Sequence, residues 1–335
     1  MKSASIWLKT FVGGFAVISA MLVITLFTPA PYGDLSRIGR LSDAEFGWRA
    51  PPPPAPVDAL KGVPLDQADV LVVGDSFSMT LYWQAPLVQA GYRVATVYWG
   101  QFGYLCGDFS RWAAQAGFKG RVVIVESVER LLDERLRKGE QCQTMLKAPV
   151  AKTTPFFKSF TEVPPDAFNW DAKLATGVVT YRNTQRAKRT DGDTLHGKDT
   201  QVRLVPDGCK QFSHKLCDRA LFFKEDVDNG PLTAETFEML KRYTASQSLP
   251  LIWMVIPNKT TVYIDQQHSK PFVEAFRAAG YGPDLFAYAE NRRMQVRDFY
   301  FPNDTHISMH GQLALGEIML AQVRKLMPEP PARAP

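Results

Sequence analysis

Asp69-Val70-Leu71-Val72-Val73-Gly74-Asp75-Ser76-Phe77-Ser78 is the stretch on which the reading of the fold turns. Asp69–Gly74 is a short apolar run closed by a glycine. It shows no polar alternation and is too short for a free-standing helix, so it predicts a strand buried on both faces. Gly74 permits a tight turn. Asp75 and Ser76 are both good caps for the helix expected next. A buried strand that turns straight into a helix is the repeating unit of a parallel α/β sheet.

The same alternation continues outward. Arg93–Trp99 (RVATVYW), Arg121–Glu126 (RVVIVE) and Pro250–Ile256 (PLIWMVI) read as further buried strands. Val128–Lys138, Thr233–Ser246 and Pro271–Ala279 read as helices, the last ending at Gly280. Ser308–Leu326 reads as a long amphipathic helix, with Leu313, Leu315, Ile318, Met319 and Val323 at helical spacing. Together they predict a doubly wound, three-layer α/β sandwich around a central, mostly parallel sheet. Residues 140–225 break the rhythm and read as an insertion. Within it, six basic residues (Arg182, Arg186, Lys188, Arg189, Lys198, Arg203) outnumber three acidic ones (Asp191, Asp193, Asp199). That excess suits either a solvated loop or small subdomain, or a rim for an anionic polymer or lipid headgroups.

The 335 residues carry 39 basic and 34 acidic groups, a net charge of +5, and are 45% hydrophobic and 22% charged. These proportions exclude a disordered tail, a collagen-like rod and a multi-span membrane protein. The charge is too dilute to argue for nucleic acid. Uninterrupted apolarity is confined to the start. Phe11–Pro29 (FVGGFAVISAMLVITLFTP) contains no charge and follows Lys2 and Lys9. Roughly 20 helical residues cross a bilayer core, and preceding positive charge keeps residues 1–10 in the cytoplasm. Residues 11–30 therefore read as a transmembrane anchor that delivers the body outward. A cleaved signal peptide is the alternative. Thr28-Pro29-Ala30 offers small residues for cleavage, but Pro31 would follow the cut and the run is long for a signal core. Residues 31–56 read as a juxtamembrane, proline-rich spacer, because Pro51–Pro54 and Pro56 favour an extended polyproline helix. The folded body is residues 57–327. Residues 328–335 form a proline-rich tail that cannot continue a helix.

Cys106, Cys142, Cys209 and Cys217 include no C-x-x-C pair, which argues against zinc and thioredoxin-like chemistry. Outside the cytoplasm two disulfides are expected. Sequence order suggests Cys106–Cys142 and Cys209–Cys217, but three pairings are open, as are buried free thiols.

Ser76 falls at the carboxyl end of the first strand, where ligands bind in open parallel sheets. Backbone N–H groups at a helix start can also hold a developing oxyanion there. The stretch is not the G-x-S-x-G elbow, since position 78 is serine. A serine hydroxyl needs a base. Of the five histidines (His196, His214, His268, His306, His310), His306 stands in Asn303-Asp304-Thr305-His306-Ile307-Ser308, just before the last helix. A carboxylate two residues away can set its tautomer. His310, one turn later, is the competing position. Each motif alone is equally well read as a helix cap. No His/Asp/Cys cluster has metal-ligand spacing, so no metal is expected.

Taken together, the G-D-S after the first strand and the Asp/His turn before the last helix resemble the SGNH (GDSL-type) hydrolase superfamily. That resemblance implies a Ser76–His306–Asp304 triad: Ser76 as nucleophile, His306 as base and acid, Asp304 orienting His306. It implies an oxyanion site at the Ser76 N–H with help from a glycine, Gly100 or Gly103. Asp75 and Trp99 complete the candidate oxyanion and substrate set. Trp83, Tyr98, Phe102 and Tyr104 are further aromatics that suit either a sugar platform or core packing.

Two departures sharpen the match. Val125-Glu126-Ser127-Val128-Glu129-Arg130 replaces the usual G-x-N-D, and D-x-H replaces D-x-x-H. With Gly33-Asp34-Leu35-Ser36-Arg37-Ile38-Gly39 and Ile256-Pro257-Asn258-Lys259-Thr260-Thr261-Val262-Tyr263, they look like the alginate O-acetyltransferase group. In those enzymes the D-x-H precedes the serine; here it follows. This resemblance implies an exported, membrane-anchored acetyltransferase acting on polysaccharide hydroxyls, single-pass in a bacterial inner membrane with its catalytic domain in the periplasm. It implies no bound cofactor. A membrane-bound O-acyltransferase partner would pass on acetyl that originates from acetyl-CoA. An acetyl-esterase with the same triad and a non-catalytic scaffold of a modification complex are the alternatives.

Overall fold

The computed structural model of the chain describes residues 2–147, 150–170 and 173–331. Seven strands form among them: β1 (Val70–Gly74), β2 (Val94–Tyr98), β3 (Val122–Val128), β4 (Thr194–His196), β5 (Thr200–Leu204), β6 (Arg219–Phe223) and β7 (Leu251–Ile256). The described residues divide into two compact units. One comprises Pro51–Glu162, Glu225–Tyr300 and the residues from His306 onward. The other comprises the residues up to Ala50, Val163–Lys224 and Phe301–Thr305.

The larger unit is built on a four-stranded sheet in the order β2-β1-β3-β7 with every neighbour parallel. Leu71, Val73, Ala95, Val97, Val123, Val125, Trp253 and Val255 share one apolar core with Phe109, Trp112, Leu132, Leu240, Phe272 and Phe276. These partners come from the helices Phe109–Gln115, Glu129–Glu140, Ala234–Ser246 and Lys270–Ala279. The alternate strand residues Val70, Val72, Val94, Ile124 and Met254 point the other way and are buried as well. Helices Ala85–Gln89 and Met309–Leu326 pack together, and the latter also meets β7. The sheet is thus apolar on both faces, as its unbroken hydrophobic runs require.

Local chemistry sets the boundaries. Thr233 caps its helix by accepting from the Thr236 N–H in a reciprocal capping box. Gly280 ends Lys270–Ala279 with φ +69°. Strand β3 runs two residues past the run that predicts it, because Ser127 and Val128 are themselves buried. The proline-rich segment, expected as a spacer, lies against this unit: Tyr82 donates to the Pro53 carbonyl, and His310 Nε2 donates to the Pro51 carbonyl at 2.8 Å.

In the smaller unit β4-β5-β6 form an antiparallel sheet. Leu35, Leu41, Phe46, Ala187, Val202 and Leu221 make its core. Residues 31–50 are therefore part of a folded body, supplying the helices Asp34–Gly39 and Asp43–Phe46. The N-terminal helix Lys2–Leu26 belongs to this unit, and Ser3–Leu26 is long and apolar enough to cross a membrane. Each unit holds one disulfide: Cys106–Cys142 in the larger, Cys209–Cys217 in the smaller. The pairing suggested by chain order is the one formed.

Candidate active site

β1 ends at Gly74, and Ser76 opens a short 3-10 turn, Ser76–Ser78. Asp75 caps that turn, its Oδ1 accepting from the Phe77 N–H at 3.0 Å. Gly74 has no substitute. A Cβ there would sit 2.3 Å from Ser78 Oγ and 3.1 Å from Glu126 Oε2. Ser76 itself is half-buried and faces outward from the carboxyl end of the sheet.

A buried polar cluster supports the turn from below. Glu126 Oε2 accepts from the Asp75 N–H and from Ser78 Oγ, both at 2.8 Å. Trp83 Nε1 donates to Ser78 Oγ at 3.0 Å, and Gln84 Nε2 to the Ser78 carbonyl at 2.9 Å. Arg135 Nη1 reaches Asp75 Oδ2 at 2.9 Å and Ser127 Oγ at 2.7 Å. The Val128 N–H donates to the same Asp75 oxygen at 3.2 Å. Burial alone would raise Asp75, but the Arg135 charge and the N–H donors outweigh it and hold its carboxyl below the usual range. Burial, reinforced by the Asp75 charge, pushes Glu126 well above it. The two buried carboxyls are thus driven in opposite directions.

His306 immediately precedes Ile307, which bridges to Tyr300. Its ring lies against Phe77, centroids 4.8 Å apart. His306 Nε2 stands 2.8 Å from Ser76 Oγ. That is hydrogen-bond reach for a nucleophile and its base. The other histidines are engaged elsewhere. His196 and His214 are buried in the smaller unit, bonded to Thr194 Oγ1 and the Arg219 carbonyl, each at 2.8 Å. His268 lies 3.7 Å from Asp265, and His310 holds the proline segment.

Asp304 belongs to the smaller unit, where the Asn303–Thr305 turn is tied to the N-terminal segment. The Asp34 N–H donates to Asp304 Oδ2, and the Thr305 N–H donates to Asp34 Oδ1, each at 2.9 Å. The Ser36 N–H donates to the Asn303 carbonyl at 3.2 Å. Asn303 Nδ2 donates to Asp43 Oδ1 at 2.9 Å, while Asp43 Oδ2 accepts from the Tyr32 and Gly33 N–H groups at 2.6 and 3.3 Å. A Cβ on Gly33 would lie 2.3 Å from the Asn303 carbonyl oxygen. The G-D-L-S-R stretch near the N-terminal helix is therefore the clamp on the turn that bears Asp304.

The remaining candidates fall differently. Trp99 is buried, its Nε1 donating to the Glu126 carbonyl at 2.7 Å and its ring covered by Arg135 at 4.6 Å. It braces β3 from within the core. Asp75 is likewise a buried structural acid. Parallel register sets Gly74 opposite Tyr98, so the turn carrying Gly100 follows beside the turn that bears Ser76. Gly100 and Gly103 are exposed, and Gly103 adopts φ +87°. Trp83 is fully buried, while Tyr98 and Tyr104 are half-buried.

Glu126 and Arg135 are the functional neighbours that motif reading passed over. The signal was present: an acid inside an otherwise apolar buried strand must be paired or hydrogen-bonded. The two segments quoted beside it meet each other. Glu129 accepts from the Asn258 N–H and Thr261 Oγ1, both at 2.7 Å, and Arg130 pairs with Asp226 at 3.1 Å.

The fold and site define an α/β protein with an accessible serine–histidine pair at the carboxyl end of a parallel sheet. Comparison with family models, curated proteins and solved structures returned no significant match.

Proposed function

We propose that the protein is an O-acetyltransferase of the SGNH type, resembling the alginate group, that moves acetyl onto hydroxyls of a cell-envelope or extracellular polysaccharide. The observation that carries this reading is the 2.8 Å approach of the half-buried Ser76 Oγ to His306 Nε2.

In this reading Ser76 Oγ adds to the donor acetyl carbonyl while its proton passes to His306 Nε2. The tetrahedral intermediate collapses, the proton goes to the departing donor group, and acetyl-Ser76 remains. A sugar hydroxyl then gives its proton to Nε2 and attacks the acetyl carbonyl. Collapse returns the proton to Ser76 Oγ. Asp304 orients His306 and stabilises the imidazolium. The Ser76 N–H, at the first position of its turn, holds the oxyanion, with the Gly100 or Gly103 backbone as second donor. The doubly wound SGNH sandwich, anchored by the N-terminal helix with its body in the periplasm, is part of the same proposal. So is a membrane-bound O-acyltransferase that delivers acetyl drawn from acetyl-CoA.

The test is intact-protein and peptide mass spectrometry after exposure to an activated acetyl ester, with and without oligosaccharide. Acetyl on Ser76 that transfers to sugar is the expected result. Release of free acetate alone would convert the reading to an esterase. Absence of any Ser76 adduct, with unchanged polymer acetylation in cells carrying Ser76→Ala, would leave a non-catalytic scaffold.

A further inference from the structure

The smaller unit closes on the end of its own apolar helix. Thr25, near the C-terminus of Lys2–Leu26, is buried. Its Oγ1 donates to the Leu174 carbonyl at 3.1 Å and accepts from the Gly177 N–H at 3.2 Å. A Cβ on Gly177 would lie 2.3 Å from Thr25 Cα, so only glycine admits the helix there. The Asn169 N–H donates to the Leu26 carbonyl at 3.0 Å. The end of the apolar helix is thus built into the fold by hydrogen bonds that cleavage after Ala30 would leave unmade.

At the same end, three rings gather on the outside. Phe27 and Phe168 meet edge to face at 5.2 Å, and Phe168 meets Trp170 at 6.0 Å. They are 66%, 52% and 79% exposed. In water such a contiguous aromatic patch is unfavourable and marks an interaction surface. Lys173, three residues after Trp170 in the chain, is exposed. At the other end of the helix Trp7 is 68% exposed and stacks on Phe11. About 20 residues separate Trp7 from Phe27, roughly 30 Å at the helical rise and equal to a hydrocarbon core. Aromatic rings at both ends of an apolar span, with a cation close in the chain to one of them, match the two headgroup layers of a bilayer.

We infer that the N-terminal helix is retained and that Phe27, Phe168 and Trp170 form an aromatic collar seating the smaller unit in the outward-facing headgroup layer of a lipid bilayer. The inference rests on reading Ser3–Leu26 as a membrane span, and it is independent of the chemistry assigned to Ser76. The rings enter the interface with their apolar faces toward the acyl chains, and Lys173 reaches lipid phosphate. Thr25 and Gly177 keep the collar at a set depth because they join it to the helix.

The experiment uses the full chain, recovered from membranes and reconstituted in phosphatidylcholine–phosphatidylglycerol vesicles. Intact mass should retain residues 1–30; a mature chain beginning at Pro31 overturns the inference. Tryptophan emission is then read with lipids brominated near the headgroup. In a Trp7→Phe background emission should be quenched, and adding Trp170→Phe should remove at least half of the quenched signal. Equal quenching in the two variants would overturn the collar while leaving the span intact. Trp170 is too exposed for its loss to unfold the chain, and far-UV circular dichroism on both variants verifies this. Ser76 acetylation is not a readout here, so failure of the collar and failure of the acetyltransferase reading are separable.

Discussion

The turn that bears Ser76 depends on buried side chains beneath it. The Asp75 N–H and Ser78 hydroxyl both point at Glu126 Oε2, and an unpaired buried donor costs about 1–3 kcal/mol. Glu126→Gln keeps an acceptor oxygen in place and is expected to melt close to the natural protein. Glu126→Leu strands both donors and is expected to lose on the order of 3 kcal/mol in chemical denaturation. Equal stability of the two variants would contradict the role assigned to the carboxyl. Ser76→Ala and His306→Ala should each lower acetyl transfer by on the order of 10³-fold or more while leaving circular dichroism unchanged. Asp43 has a pH signature of its own. Burial pushes its carboxyl up to about 6 despite the hydrogen bonds it accepts. A raised folded-state value means that the folded form holds the proton more tightly than the unfolded form. The contribution is therefore full below about pH 4 and is lost as pH rises through 6, on the order of 3 kcal/mol in all. The stability difference between the natural protein and Asp43→Asn should change across that window and be flat above it.

At the scale of elements, the turn carrying Asp304 is positioned by a segment some 270 residues earlier in the chain. Asp34→Ala removes the acceptor for the Thr305 N–H. It is expected to slow acetyl transfer about 10-fold or more, with the parallel sheet intact, because misplacing a catalytic group by an ångström is costly. An unchanged rate would mean that the clamp is dispensable. The strands and helices of the larger unit were readable because their periodicity is local: β1, β2 and β7 lie within one residue of their apolar runs. β3 extends two residues past its run, because buried Ser127 and Val128 continue the strand beyond the point where Glu126 ends the apolar pattern. The β4-β5-β6 sheet was not readable. Its strands are three to five residues long, and β5 alternates buried with half-exposed positions among charged neighbours.

For the whole molecule, the two disulfides lie one in each unit and close loops of very different length. Loop-closure entropy predicts that losing Cys106–Cys142, with a sequence separation of 36, costs about 4 kcal/mol. Losing Cys209–Cys217, with a separation of 8, costs about 2.5 kcal/mol. Paired serine variants followed by denaturant titration give the order, and a larger loss from the shorter loop would count against the entropic account. What the sequence by itself determined is whatever depends on neighbours along the chain: the apolar helix, the buried strands, the glycine turn that exposes Ser76, and the proximity of Asp304 to His306. Only the tertiary structure decided that His306, singled out by its motif, comes within 2.8 Å of Ser76, that Trp99 is a brace, and that Glu126 supports the turn bearing Ser76. It also decided that residues 31–50 are folded core. The physical reason is that periodicity and capping are local energies summed over a few residues. A hydrogen bond between positions 76 and 306 exists only after the sheet has closed the distance between them.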